Sequence, residues 1–234
     1  MSQLKLADGR NFEYEDNGVK SDQAILFLHG TPGADKTWSQ WLPQVTDCLA
    51  IAASRAGYGK SDRHKGRTVA DDLADQQALL DHFHIKEFVS IGWSGGGPHS
   101  INMTRDPRSK GAITLAGVGE WGHADLDFLA DMGPENEEEF GEALKGEAAI
   151  QTWMSKNAPS LKTITGPDLI SALGGLIGEA DKAALTPDRA EDAAKSFRHA
   201  LVDSFDGWAD DDLAFVQKFG FDLSAINKPV LLWQ

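Results

Sequence analysis

The chain has 234 residues, 41% of them apolar, and a formal net charge of −14, a composition that suits one large α/β domain and excludes a disordered or fibrous protein. It lacks the clustered Lys and Arg that a phosphate backbone requires, which excludes nucleic-acid binding as the expected role. The start, Met1-Ser2-Gln3-Leu4-Lys5-Leu6, has no apolar core of signal-peptide length, and no apolar run approaches a bilayer span, so no membrane association and a cytoplasmic location are expected.

In chain order, Leu4–Leu6 and Asn11–Tyr14, joined through Asp8-Gly9, read as an entry hairpin. The uninterrupted apolar runs Ala24–Leu28, Leu49–Ile51, Phe88–Ile91 and Ala112–Leu115 read as central strands buried on both sides. Cys48, the single cysteine, sits in the apolar run Cys48-Leu49-Ala50-Ile51-Ala52-Ala53; no internal disulfide is possible and a buried structural thiol is expected. Between the strands, Val69, Leu73, Leu80 and Phe83 recur at near-helical spacing over residues 68–83, with Thr68 and Asp71 placed as a capping box. A second helix follows Ser94 and ends near Asp106-Pro107. The alternation predicts a doubly wound, mostly parallel sheet with helices on both faces.

From Gly119 the texture becomes acidic, helix-forming and interrupted by Pro134, Pro159, Pro167 and Pro187. Residues 119–228 hold 22 Asp and Glu against 9 Lys and Arg, a net of −13, which leaves −1 for everything else. Lys228-Pro229-Val230-Leu231-Leu232-Trp233 then reads as a central strand again. The expected organisation is a core over residues 1–119, a helical cap or lid over 120–227, and a core strand over 228–234. Trp121, Trp153, Leu173, Leu176 and Trp208 are either cap core or the lining of an apolar acyl pocket.

The chemistry concentrates at Val89-Ser90-Ile91-Gly92-Trp93-Ser94-Gly95-Gly96-Gly97-Pro98. One serine between an apolar strand and a glycine-rich helix start is the layout of a nucleophile elbow. Gly92 and Gly96 relieve crowding in the tight turn, and Gly95 presents its N–H at the helix N-terminus, where orphan donors favour a negative oxygen. His29-Gly30-Thr31-Pro32-Gly33, directly after the strand Ala24–Leu28, can aim the Thr31 N–H at the same point; two such donors are what a tetrahedral acyl intermediate needs. His29 is expected to hold this loop by hydrogen bonds rather than to take a proton. No spacing comparable with H-E-x-x-H occurs, so neither a metal nor another cofactor is expected.

His29–Gly33, Gly57-Tyr58-Gly59-Lys60-Ser61-Asp62 and Gly92–Gly97, in that order and spacing, resemble the α/β-hydrolase superfamily, over Leu4–Gly117 and again over Lys228–Gln234. The resemblance implies Ser94 as nucleophile, the Thr31 and Gly95 amides as oxyanion hole, and Gly57–Ser61 as a structural turn beside the site. A serine at the elbow argues against the dehalogenase and epoxide-hydrolase branches. In that family the acid usually follows the strand represented here by Val230–Trp233 and the histidine comes later still, whereas this sequence stops at Gln234. The expectation is a serine esterase of small molecules that is inactive as these 234 residues alone and is completed by further chain, on the same polypeptide or as a separate C-terminal fragment. Glu120 is an alternative acid, since some members place theirs after the strand ending near Leu115, and His123 lies close by. Two other readings are carried: a proline-iminopeptidase-like aminopeptidase, whose acidic lid would hold a substrate amine, and a non-catalytic binding protein that keeps the fold without the proton relay.

Overall fold

The computed structural model describes residues 2–130, 132–173 and 177–234. Its apolar runs form seven strands: β1 (Ser2–Lys5), β2 (Asn11–Asp16), β3 (Gln23–Leu28), β4 (Leu49–Ala53), β5 (Glu87–Trp93), β6 (Ser109–Leu115) and β7 (Val230–Trp233). They make one sheet in the order β1-β2-β4-β3-β5-β6-β7. β1 and β2 pair antiparallel, as do β2 and β4, while every pair from β4 to β7 is parallel. This is the doubly wound, mostly parallel sheet that the alternating strand and helix patterns predict.

Side chains alternate across each strand, so consecutive β3 residues feed opposite faces. Leu26 and Leu28 pack with Phe12, Ile51, Leu79, Leu80, Phe88 and Met103 on one side. Phe27 packs with Trp38, Leu42, Ala50 and Ala52 on the other. Each such fully buried Leu or Phe contributes about 2 kcal/mol through removal of apolar surface from water. β7 sits at the sheet edge with Leu231, Leu232 and Trp233 exposed. Cys48 departs from expectation: it is half-buried, because it lies in the turn before β4 rather than inside the strand.

The helices begin and stop where local chemistry dictates. The Thr68 N–H donates to Asp71 Oδ2 at 2.7 Å, and after one 3₁₀ turn the chain enters α1 (Asp72–His82). Helix α2 (Gly96–Asn102) continues as a 3₁₀ turn to Arg105 and ends before Asp106-Pro107, since a residue preceding proline is disfavoured in the helical region. Between β6 and β7 lie α3 (Pro134–Leu144), α4 (Glu147–Leu161), α5 (Gly166–Leu173), α6 (Glu179–Ala184), α7 (Pro187–Ala200) and α8 (Asp206–Phe215). No strand occurs among the described residues of that segment, and no helix of the described residues is long and apolar enough to cross a membrane.

Helix α7 meets the sheet through a polar seam. The Gly59 N–H donates to Ala200 O at 3.2 Å, Thr37 Oγ1 and Ser196 Oγ lie 2.6 Å apart, and His199 Nε2 stands 2.9 Å from Glu13 Oε2 and 3.6 Å from Asp35 Oδ1. The Glu13 carboxylate, assisted by Asp35, raises the His199 pKa above its ordinary value although partial burial opposes this. A group raised on folding stabilises fully below its unfolded value, about 6.5, and loses that contribution as pH rises through the folded value. The thermal midpoint is therefore expected to fall as pH rises from about 6 to about 9, and the fall to be shallower in His199→Gln; parallel melting profiles for the two proteins would refute the linkage.

Candidate active site

The register brings the carboxyl ends of three strands level. Leu28 of β3 pairs with Gly92 of β5, and Trp93 of β5 with Leu115 of β6. The turns that follow, His29–Gly33, Ser94–Gly95 and Ala116–Val118, therefore meet at one edge, beyond the carboxyl ends of a parallel sheet, where ligands bind in open α/β folds.

Ser94 occupies the left-handed region, with φ +52°, a conformation that costs a non-glycine residue of order 1–3 kcal/mol and persists only when its surroundings impose it. Those surroundings are visible. The Ser94 N–H donates to Leu115 O at 2.9 Å, and the Gly97 N–H donates to Ser94 O at 2.8 Å, starting α2. A Cβ at Gly92 would collide with the Gly96 carbonyl, and one at Gly95 with Thr31 Oγ1. The turn thus closes only with glycine on both sides of the serine, and it brings Thr31 against Gly95. Gly92→Ala is expected to destabilise the protein by about 3 kcal/mol through this overpacking against backbone, measurable by urea unfolding; a change under about 1 kcal/mol would show that the turn relaxes.

Thr31, Ser94 and Gly95 share a cavity of about 230 Å³ with Ala116, Gly117, Val118, Met132, Asn136, Glu139, Phe140, Asp212 and Phe215. No histidine, lysine or arginine is among the residues lining it. His29 is fully buried; its Nε2 accepts the Arg55 N–H at 2.9 Å, which leaves the proton on Nδ1, donated to Gly30 O at 2.7 Å. Burial and the Arg55 charge push its pKa well below the ordinary value, so both ring nitrogens serve the loop. His99, on α2, is fully buried, with Nδ1 3.0 Å from Asp72 Oδ2 and Nε2 4.0 Å from Asp211 Oδ1, and does not line the cavity.

Glu120 does not line the cavity. Its carboxylate accepts the Phe219 N–H at 3.1 Å and the Lys218 ammonium at 3.0 Å, which turns it toward the stretch after α8. His123 is exposed, its Nδ1 accepting the Asp125 N–H. The tryptophans weighed as pocket lining pack among themselves and their neighbours: Trp153 meets Trp208 edge-on at 5.7 Å, and Trp121 meets Phe128 at 5.2 Å. Leu173 packs beside Ile164 and Leu169, and Leu176 lies outside the described residues. Glu13, Asp35 and His199 present potential ligand atoms within 4.8 Å of one another. Lys36 sits 3.3 Å from Asp35 Oδ2, supplying a cation there already, and none of the three lines the Ser94 cavity.

Sequence reasoning missed the group that holds this edge together. Asp211 of α8 is fully buried and accepts Thr31 Oγ1–H at 2.6 Å, Tyr58 O–H at 2.8 Å, and the guanidiniums of Arg55 and Arg67, each at 2.6 Å. Burial alone would raise its pKa, but Arg55 and Arg67 hold it well below the usual carboxylate range. Arg55 also donates to the carbonyls of His29 and Gly30. Asp211→Asn would leave two buried guanidiniums without their anion, so a loss of about 3–5 kcal/mol is expected in urea unfolding; a near-neutral result would mean that water replaces the carboxylate.

Residues 23–150, more than half of the chain, match the family described as alpha/beta hydrolase fold. Among curated proteins, the chain is similar to a non-heme haloperoxidase of Rhodococcus erythropolis, 31% identical over 94 residues, which are 39% of this chain and 34% of that protein. It is also similar to a proline iminopeptidase of Arabidopsis thaliana, 25% identical over 149 residues, 58% of this chain and 39% of that protein. The matches thus span well under half the length of these relatives. Among solved structures, the enol-lactonase of Burkholderia xenovorans LB400 superposes with a TM-score of 0.65 at 17% identity, over 99% of this chain and 80% of the lactonase. The extent of the family match, together with this shared fold, establishes that the chain belongs to the alpha/beta hydrolase fold family.

Proposed function

We propose that the protein is a serine hydrolase that cleaves an ester-like carbonyl of a small molecule through an acyl-enzyme. The observation that carries this reading is the left-handed Ser94 held between β5 and α2, in one cavity with Thr31 and Gly95. Strain imposed on a serine at a strand-to-helix turn serves to expose its oxygen. In the proposed reaction Ser94 Oγ adds to the carbonyl carbon and gives up its proton to a base. The Thr31 and Gly95 N–H groups take the oxyanion, the alcohol leaves with a proton, and water then releases the acyl group. The helical segment between β6 and β7 acts as the cap that shapes the cavity.

Serine needs a base, and no histidine among the described residues lines the cavity. Turnover by residues 1–234 alone is therefore expected to be slow. The same observation favours a second reading, a binding protein that keeps the cavity without the chemistry. Fluorophosphonate labelling of the product of the whole gene separates the two. An adduct at Ser94, absent from Ser94→Ala, supports the hydrolase, and its absence overturns it in favour of the binding protein. Comparing neutral p-nitrophenyl esters with amino-acid naphthylamides then reads the bond cleaved; esters are expected to be the faster class.

A further inference from the structure

Three side chains far apart in the sequence converge where α7 meets the sheet, away from the Ser94 cavity. Glu13 comes from β2, Asp35 from the 3₁₀ turn Asp35–Trp38 that follows the loop after β3, and His199 from the last turn of α7. Each offers one ligand atom, and the three atoms lie within 4.8 Å of one another. Both carboxylate side chains are fully buried, yet Glu13 Oε1 and Asp35 Oδ1 have no hydrogen-bond partner. Gly59 keeps the place beside them open: at φ +56° it passes so close that a Cβ would collide with Glu13 Oε2 and stand 3.0 Å from His199 Nε2 and 3.1 Å from Ser54 Oγ.

One proton cannot serve both carboxylates. His199 Nε2 lies 2.9 Å from Glu13 Oε2, within hydrogen-bond reach, but 3.6 Å from Asp35 Oδ1, beyond it. Lys36 offsets only part of the charge: it meets Asp35 through Oδ2 and is shared with Glu15, so three carboxylates face one ammonium. A divalent ion beside a neutral imidazole brings that cluster to zero net charge and, unlike a proton, can be approached by all three ligand atoms at once. The donors suit it, since imidazole nitrogen and carboxylate oxygen bind Zn²⁺ at about 2.0–2.2 Å, which in a tetrahedral shell sets neighbouring ligand atoms about 3.3–3.6 Å apart. The two spacings from His199 Nε2, 2.9 and 3.6 Å, need only small side-chain adjustments to meet that shell.

We propose that Glu13, Asp35 and His199 form a binding site for a divalent transition-metal ion of the Zn²⁺ type, which fastens α7 to β2 and to the turn after β3. The ion takes the Nε2 lone pair of His199, so any proton held there leaves for solvent. Ser54 Oγ–H, donating to Glu13 Oε2 at 3.2 Å, and the Lys60 N–H at 2.9 Å orient the Glu13 carboxylate. The His199 side chain is 14% exposed, which gives the ion an entry and leaves room for water as a further ligand. None of the three residues lines the Ser94 cavity, so the site is structural and does not rest on the hydrolase reading. No local spacing announces it, because its ligands come from three distant stretches of chain; the pH dependence of melting expected above is that of the metal-free protein.

The test is calorimetric titration of the chelator-stripped protein with ZnCl₂. One site with a Kd of about 10 μM or tighter is expected, and the thermal midpoint is expected to rise by about 5 °C at a hundredfold excess over that Kd. Mg²⁺, which demands an octahedral oxygen shell and gives up its waters reluctantly, is expected to do neither. Asp35→Asn and His199→Gln are each expected to weaken Zn²⁺ binding at least about tenfold, whereas His123→Gln, at an exposed histidine, leaves it unchanged. His199→Gln buries no unpaired cation and keeps a donor toward Glu13, so it decides the matter if Asp35→Asn does not fold. No binding at about 1 mM Zn²⁺, or binding as tight in His199→Gln as in the unaltered protein, overturns the site, the second result marking an adventitious ion on other side chains.

Discussion

The Asp211 carboxylate is the interaction on which the rest of the site depends. Through it a helix late in the sequence holds the turn after β3, by way of Thr31, and the turn after β4, by way of Arg55 and Tyr58. All of these charges are out of water, so each is costly alone and tolerable only in company. Arg55 extends the constraint by donating to the His29 and Gly30 carbonyls. The position of the Thr31 backbone beside Gly95 is therefore set by a charge more than 170 residues away in the chain, not by the loop's own sequence. A buried ion network is a stiff way to hold two turns against each other.

Helix geometry then gives the three neighbours Asp210, Asp211 and Asp212 three different lives. Successive residues of an α-helix point about 100° apart, so α8 can send one aspartate to each of three environments. Asp210 faces Arg63, which reaches it at 2.8 Å. Asp211 faces the two buried guanidiniums. Asp212 turns into the Ser94 cavity, where its neighbour's success is its own deprivation: Arg67 is spent on Asp211, and the Asp211 charge helps to raise the Asp212 pKa. Identical side chains in sequence thus become an ion-pair partner, a structural hub and a buried carboxyl in the cavity wall.

How much of this was legible in the sequence follows from the range of the interactions. The strands could be read because apolar runs such as Ala24–Leu28 and Phe88–Ile91 state their own burial. The Ser94 turn could be read because the clash that forbids a side chain at Gly92 is with Gly96, four residues on, whereas Gly95 and Gly96 are kept small by Thr31 and Leu28, far back in the chain. The capping role of Asp71 is likewise local, as is the His29 contact with the Gly30 carbonyl, while the second ring nitrogen of His29 reaches Arg55, 26 residues on. Asp211, Asp212 and Glu139 carry no such local mark; they sit in a segment with 22 acidic residues and differ from the others only in burial and in partners far along the chain. The tryptophans leave two readings open, cap core and pocket lining, and the packing takes the first: Trp153 and Trp208 meet each other across the helical segment, and the apolar lining falls to Val118, Met132, Phe140 and Phe215.

Net charge is the coarsest of these signals, and the structure shows what it conceals. Most of the acidic excess is exposed, in pairs such as Lys182–Glu179, where solvent and salt leave little coupling. That remainder favours solubility and enriches cations near the surface. The coupling that joins the acidic segment to the sheet runs instead through three arginines in a short stretch before α1: Arg55 and Arg67 to Asp211, and Arg63 to Asp206 and Asp210. Because these pairs are wholly or largely withdrawn from water, they persist where surface pairs are screened. What distinguishes the segment is thus the handful of carboxylates whose burial makes them depend on those arginines, together with Asp212, the buried one that no arginine reaches.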